Sequence, residues 1–335
     1  MFRYFGSKAS TANVVTDLAL TGLTGPKTVA DAFGGLGNIG AEFKKRGHIV
    51  TTCDLLKFPH AFQYVRIECQ ERPSFNKLKA KIGATSDEQL IAELNRPDQA
   101  STWFVKEYSA ERWFFTEDNA ERISSAWSKI RYWKNNDWIS IDEQKFLIAS
   151  LLNSADAVAN TAGTYYAHLK NWGRKPLKPF NFKWLETTAG ANAGNTLQGD
   201  AIKCLKGKKF DILYLDPPYN NRDYSRYYHL PETLAGLEEV EIDRSSKSGL
   251  PVSRPHQGTY IRSAMRLPYL AELIESISWK RLVVQYAEGA YIPLNNLHDF
   301  LCSYGKLEST QIQALGYQSK NGSRQQAHHV FIINA

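Results

Sequence analysis

At 335 residues the chain is long for one domain and suits a large α/β core carrying a second lobe. Hydrophobic content of 43% suffices for a buried core; no apolar run reaches membrane-span length and the N-terminus lacks a signal-peptide stretch, so a soluble cytoplasmic protein is expected. The formal net charge of +7 is compatible with a polyanionic partner, while Cys53, Cys69, Cys204 and Cys302 show neither C-x-x-C pairing nor histidine at ligand spacing, which argues against a disulfide framework or a zinc site.

The chain opens with Arg3-Tyr-Phe-Gly-Ser-Lys8, an aromatic pair, a small-residue turn and a lysine able to hold a carboxylate or phosphate. Helical spacing follows over residues 11–23. Thr28 to Asp54 reads as strand, glycine turn, helix and strand, ending in an acid. Gly35, Gly37 and Gly40 fit G-x-G-x-x-G in that setting, which permits a tight turn and close approach of a nucleoside-bearing cofactor, with Asp54 placed for ribose hydroxyls. Asp31, ahead of the glycines in D-x-F-x-G-x-G-x-x-G, would suit a cationic ammonium group and repel a pyrophosphate, which favours S-adenosylmethionine over a dinucleotide.

After Asp54 the βαβ rhythm stops, and residues 70–185 read as a mainly helical lobe inserted between the second and third core strands. Seven of the eight tryptophans fall in it and read mostly as core. From Ala157 to Leu185 there is no acid, against Lys170, Arg174, Lys175, Lys178 and Lys183. Within that span, Gly163 to Lys170 joins flexible backbone, exposed-looking rings and positive charge, the mix used to insert into or stack on nucleic acid. A polar linker returns to the core, where residues 195–200 form a third strand; Asp200 either accepts from a cofactor adenine or caps the next helix.

Phe210 to Tyr219 then gives a buried parallel strand ending in Asp216-Pro217-Pro218-Tyr219. Open α/β sheets bind ligands beyond the carboxyl ends of their strands. Two prolines fix φ and donate no hydrogen bonds, leaving a rigid turn of carbonyl acceptors between a carboxylate and a ring. That device suits a planar group bearing an NH2; the plain alternative is a strand-ending turn that happens to hold Asp and Tyr. Residues 220–258, polar and basic with Arg222 and Arg226, read as a mobile substrate loop. A helix over 261–277, a strand over 281–288, a helix over 294–304 and strands around 306–315 and 327–334 complete the chain, the last two joined by a hairpin at Lys320-Asn-Gly322.

In this order the stretches resemble the Dam-like, alpha-group adenine-specific DNA methyltransferases: aromatic-F-G-S-K, then D-x-F-x-G-x-G-x-x-G, an inserted lobe, and D-P-P-Y extended to Arg222, Tyr224, Tyr228 and His229. The resemblance covers Phe2 to about Leu56 and Asn195 to the C-terminus; the Asn160–Tyr166 stretch matches more loosely the family's loop that enters the duplex. It implies the class I S-adenosylmethionine-dependent methyltransferase fold, a Rossmann-like seven-stranded sheet with one antiparallel strand, made of residues 1–69 and 186–335, with 70–185 as target-recognition lobe. Tyr4, Phe5, Gly6, Ser7, Lys8, Asp31, Phe33, Gly35, Gly37, Asp54 and Asp200 would then line S-adenosylmethionine. Asp216, Pro217, Pro218 and Tyr219 would hold the target base, and Asn160, Thr164, Tyr165, Lys170, Arg174, Lys175, Arg222 and Arg226 would meet DNA. The expected reaction is N6-methylation of adenine in duplex DNA after base flipping, by a monomer beside a companion restriction endonuclease, with no metal. Rival readings are an RNA adenine methyltransferase, a nicotinamide-dependent oxidoreductase, for which Asp31 and the Asp216 motif have no use, and a DNA-binding module without catalysis.

Overall fold

A computed structural model describes residues 2–4, 7–220, 222–254, 259–319 and 322–335. One sheet holds β1 (Thr28–Asp31), β2 (Ile49–Asp54), β3 (Asn195–Gln198), β4 (Lys209–Leu215), β5 (Ser278–Ala287), β6 (Lys306–Ser319) and β7 (Gly322–Asn334). Its order is β3-β2-β1-β4-β5-β7-β6. Neighbours among β1 to β5 pair in parallel, whereas β7 runs antiparallel to both β5 and β6. This seven-stranded mixed sheet with one reversed strand is the class I methyltransferase arrangement.

Alternation along the strands sets the two faces, because successive side chains point to opposite sides. Ala30, Leu213, Leu215, Leu282 and Val284 share one core with the helices Ala201–Leu205, Leu267–Glu275 and Leu294–Cys302. Val29, Ile212, Tyr214 and Val283 share the other with the helices Ala12–Leu20 and Asn38–Lys45. Close helix–sheet packing depends on Gly40, where a Cβ would lie 2.9 Å from both Ile67 Cδ1 and Thr52 Cγ2. The chain runs outward from β1 to β2 and β3 on one side, then resumes at β4 and β5 on the other. The β1/β4 seam is thus the switch point, where a crevice opens beyond the strand ends.

The chain divides into two compact units, one of Phe5–Gln70, Thr187–Asp223 and Gly258–Ala335, which contains the sheet, and one of Met1–Tyr4, Glu71–Glu186 and Tyr224–Gln257. The second is helical. Its helices Asp87–Asn95, Glu117–Asn135 and Ile141–Asp156 each start on a serine or threonine whose side chain accepts a backbone N–H, and Ser140 with Glu143 forms a full capping box. Tyr108, Phe104, Phe115 and Trp127 form its interior.

Two sequence expectations are corrected. The segment after Tyr219 is not a loop of the core from residue 224 onward: it carries the helices Tyr224–Tyr227 and His229–Gly236 and belongs to the helical unit. Tyr228, Leu230 and Leu234 are buried there, Trp127 donates its indole N–H to the Leu234 carbonyl at 3.0 Å, and Arg244 pairs with buried Glu107 at 2.9 Å. Burying a large apolar side chain is worth about 1.5–3 kcal/mol, enough to order a segment whose composition is otherwise polar. The helix expected over 261–277 is two, Thr259–Ala264 and Leu267–Glu275, because Pro268 cannot donate a helical hydrogen bond and instead starts a helix. Of the expected hairpin turn, Lys320 and Asn321 lie outside the described residues, and no helix among those described is long and apolar enough to cross a membrane.

Candidate active site

The carboxyl ends of β1 and β4 bring two acids together. Asp31 closes β1 and is 1% exposed; Asp216 follows β4, whose Tyr214 pairs with Asp31. Oδ1 of each is buried without a hydrogen-bond partner among the described residues. Burial and then the Asp216 charge push the Asp31 carboxyl up to about 8, against the pull of the Phe33 backbone N–H. Burial raises Asp216 as well, and Lys8 draws it back. The Lys8 ammonium sits 2.5 Å from Asp216 Oδ2 and 5.1 Å from the centre of the Tyr219 ring. Burial works against its charge, but Asp216 and then Tyr219 and Asp31 outweigh that and raise its pKa. Removing a charge from water is costly unless it is paired, so Lys8 keeps a carboxylate tenable in this crevice.

The glycine turn forms the next wall. Gly35 and Gly37 have φ of 52° and 78°, a region that favours residues without a Cβ. Asp54 fastens the turn: Oδ2 accepts the Gly35 N–H and Oδ1 the Leu56 N–H, each at 3.0 Å. From below, buried Gln63 donates to the Gly35 carbonyl at 2.8 Å and accepts from Thr52 Oγ1 at 2.9 Å. Ser7 Oγ accepts from Asn38 Nδ2 at 2.9 Å, which ties the N-terminal stretch to the helix after the turn. Phe33 packs its ring near Tyr269, and Tyr269 donates to Asp200 Oδ2 at 3.2 Å. Asp200 Oδ1 accepts the Lys203 N–H at 3.1 Å, so the capping role left open by the sequence is present. Phe5 and Gly6 lie outside the described residues.

Pro217, Pro218 and Tyr219 continue from Asp216. The Tyr219 carbonyl accepts the Tyr291 N–H at 2.9 Å, and its ring meets Tyr286 and His328 edge-on at 6.4 and 6.1 Å. Buried Gln285 accepts from Tyr214 Oη at 2.7 Å and lies 3.3 Å from His328 Nδ1. Burial and then Lys8 hold His328 at about 4, a neutral ring beside the site. Gln63, Tyr269, Gln285, Tyr286 and His328 were not singled out from the sequence; none lies in a motif, and only the sheet brings them here.

The helical unit sorts the residues expected to meet DNA. Asn160 is fully buried and donates Nδ2 to the carbonyls of Trp113 and Leu169, both at 3.0 Å; it fastens a loop closed by the Thr161–His168 bridge. Tyr165 is 1% exposed, donates to Asp156 Oδ1 at 3.2 Å and stacks on Phe2 and Phe114. Both are corrected from DNA contacts to interior residues: the Asn160 amide nitrogen and the Tyr165 ring find their partners inside. The exposed ring is the next one, Tyr166, which closes the expected duplex-entering stretch but was not among the residues expected to meet DNA; it stacks on Tyr227 at 4.9 Å under the Arg226 guanidinium at 5.0 Å. Lys175 is drawn toward buried Asp156 at 3.5 Å. Thr164 is half-buried, while Lys170, Arg174 and Arg226 are exposed. Arg222 is exposed too, in the sheet unit. Tyr4 belongs to the helical unit, against Tyr224 and Tyr228 at 5.7 and 5.0 Å.

Residues 4–277 match the family model of the D12 class N6 adenine-specific DNA methyltransferases. The chain is 28% identical over 329 residues to the type II methyltransferase M.FokI of Planomicrobium okeanokoites, covering 97% of this chain and 50% of that protein. To M.NlaIII of Neisseria lactamica it is 28% identical over 319 residues, covering 92% and 90%. To M.CviAII of Paramecium bursaria Chlorella virus 1 it is 30% identical over 250 residues, covering 74% and 72%. The chain therefore spans about half the length of M.FokI and most of the other two. A match running from the N-terminal aromatic stretch through the glycine turn and the Asp216 motif takes in nearly all the geometry above, and the chain belongs to the D12 class N6 adenine-specific DNA methyltransferase family.

Proposed function

We propose that this protein transfers the methyl group of S-adenosylmethionine to the exocyclic amine of adenine in double-stranded DNA. The observation that carries this reading is the pair of buried, partnerless carboxylate oxygens, Asp31 Oδ1 and Asp216 Oδ1, at the carboxyl ends of the two strands of the switch-point seam. One fits a cationic amino group and the other a neutral NH2, which are the polar groups that cofactor and substrate would bring. A nicotinamide dinucleotide, with its anionic pyrophosphate, gives Asp31 nothing to bind.

When bound, S-adenosylmethionine supplies an electrophilic methyl on a sulfonium. The chain's own groups do the rest. Asp31 takes the amino group of the methionine part, with Ser7 assigned to its surroundings. Phe33, Gly35 and Gly37 line the nucleoside, Asp54 serves the ribose, and Asp200 is left to the adenine through the lone pairs its cap does not use. At the substrate, the exocyclic nitrogen is a poor nucleophile because its lone pair is delocalised into the ring. Asp216 and the Pro217 carbonyl accept hydrogen bonds from its two N–H groups, turn them out of plane and localise the pair, so that the N–C bond can form as the C–S bond breaks and the proton shed by the nitrogen can pass to Asp216; Pro218 keeps the turn rigid and Tyr219 stacks on the base. Lys8 keeps Asp216 ionised, a role nearer to the observed ion pair than holding the methionine part. Holding the reactants in line then supplies most of the acceleration. The base must leave the duplex to reach this crevice, at a cost of a few kcal/mol.

We assign DNA contacts to Tyr166, Lys170, Arg174, Arg222 and Arg226 and target recognition to the helical unit. The motif order supports the Dam-like alpha group, and relatives named as modification methylases, such as StsI of Streptococcus sanguinis, support a modification role beside an endonuclease acting on the same site. Transfer of tritiated methyl to unmethylated plasmid DNA, followed by nucleoside analysis, tests the reading. Label in N6-methyladenine, lost in Asp216→Ala while cofactor affinity stays within about twofold, is expected. Labelling of RNA alone, or undiminished transfer by Asp216→Ala, would refute it.

A further inference from the structure

The helical unit carries an aromatic feature that the catalytic reading leaves unused. Trp113 and Trp172 stack with ring centroids 6.0 Å apart and planes 18° from parallel, yet they stay 46% and 37% exposed. Leu169 and Leu177, 41% and 63% exposed, lie on the same stretch of chain as Trp172. A stacked pair of exposed indoles marks an interaction site more often than a lone exposed ring does. The surface is also built rigidly. Asn160, fully buried, fastens the carbonyls of Trp113 and Leu169 through one amide, and the Leu169 N–H returns to the Asn160 carbonyl at 2.9 Å. Phe114, next to Trp113, meets His168 edge-on at 5.5 Å.

Charge selects the partner. Lys170 and Arg174 flank Trp172 by two residues on each side and are exposed, and no acid occurs between residues 157 and 185. On the Trp113 side of the pair, Glu111 is exposed two residues before Trp113, so the cations outnumber it. A rigid indole pair set among cations fits the bases and phosphates of a nucleic acid, because every base offers a π-face and arginine and lysine take the backbone. An acidic peptide would satisfy the cations but leave the two indoles facing water.

We propose that the Trp113–Trp172 pair is a DNA-binding platform that stacks on an unstacked nucleotide of the bound duplex, with Lys170 and Arg174 on the adjoining phosphates. The proposal rests on the DNA reading above. Base faces in an intact duplex are covered by their neighbours, so the platform engages DNA only where a step is opened or a base is extrahelical. It therefore contributes affinity for the distorted duplex and no chemistry at the amine.

The test uses the full chain and a duplex that the wild-type protein methylates. In Trp113→Ala/Trp172→Ala the KM for DNA should rise about ten- to hundredfold, the range that loss of one base–aromatic stack implies. Its kcat at saturating DNA and its affinity for S-adenosylmethionine should stay within about twofold. Quenching of indole fluorescence by DNA should shrink, and Trp113→Phe/Trp172→Phe should recover most of the affinity. If the alanine pair lowers the melting temperature, Trp172→Ala alone, which sits in an irregular segment, is read by the same KM-against-kcat split. A double variant that binds DNA as the wild type does would overturn the proposal. So would loss of a dimer in sedimentation with DNA affinity intact, which would assign the surface to a second copy of the chain. Failure of the wild type itself to bind or methylate DNA would instead overturn the functional reading on which the proposal stands.

Discussion

Asp31 makes cofactor binding proton-linked. Its buried carboxyl titrates at about 8 through burial and the neighbouring Asp216 charge, with Asp54 adding to both. A cationic amino group placed at its partnerless Oδ1 would favour the ionised form, so binding below that pKa has to expel a proton. At pH 6.5, with the carboxyl at about 8, about one molecule in thirty is ionised, and the apparent affinity is about thirtyfold below its limit. Calorimetric titration with S-adenosylhomocysteine, which shares the amino-acid part and lacks the reactive methyl, measures this between pH 6.0 and 7.5. That window ends below the range of about 7.7–8.0 in which a free α-amino group loses its own charge. The Kd should fall about tenfold per pH unit, and buffers of different ionisation enthalpy should report about one proton released per ligand. Asp31→Asn should bind more weakly with no such slope. A Kd independent of pH in the wild type, or the same slope in Asp31→Asn, would refute the reasoning. Folding stability carries the opposite sign: with the native carboxyl at about 8 and its ordinary value at 3.8, the native state holds the extra proton, so stability from this group is complete below 3.8 and declines as pH rises toward 8.

The Lys8–Asp216 pair predicts a shifted pH profile. Lys8→Gln removes the charge that opposes burial at Asp216, so the acid limb of kcat against pH should move upward, and Lys8→Arg should restore part of it; a limb that stays in place would assign Lys8 to another task. The neighbours Tyr165 and Tyr166 predict opposite phenotypes. Tyr165→Phe loses its hydrogen bond to Asp156 and should cost about 1 kcal/mol in thermal or denaturant unfolding with DNA affinity retained. Tyr166→Ala should leave unfolding nearly unchanged and weaken DNA binding by about 1–3 kcal/mol, the worth of a base–aromatic stack. Reversal of the two results would mean that the buried ring, and not the exposed one, reaches the duplex.

Much of the sheet was legible because its signals are local. The apolar run of β4, the glycine turn after β1 and the acids closing β1, β2 and β4 each lie within a few residues, and backbone geometry at that range is decided by neighbours. The order of these motifs carried the family resemblance, and it was that resemblance that implied a seven-stranded sheet with one reversed strand. Asp31 and Asp216 could be named in advance because strand ends at a switch point face the crevice whatever surrounds them.

Tertiary structure decided which partner each side chain meets. Nothing near Lys8 in the chain announces Asp216; only the folded chain brings the N-terminal stretch to the end of β4. Composition could not separate Tyr165 from Tyr166, adjacent and identical, because burial depends on which side of the loop meets Phe2 and Phe114. For the same reason Asn160 became an interior fastener, residues 224–254 joined the helical unit through Tyr228, Leu230 and Leu234, and Trp113 and Trp172 stayed at the surface while Trp127 went inside. The sequence by itself determined the strands, the turns and the kinds of groups at their ends. Which of those groups are buried, ionised or left without a partner followed only from folding, since desolvation and Coulomb energy depend on distances between residues far apart in the chain.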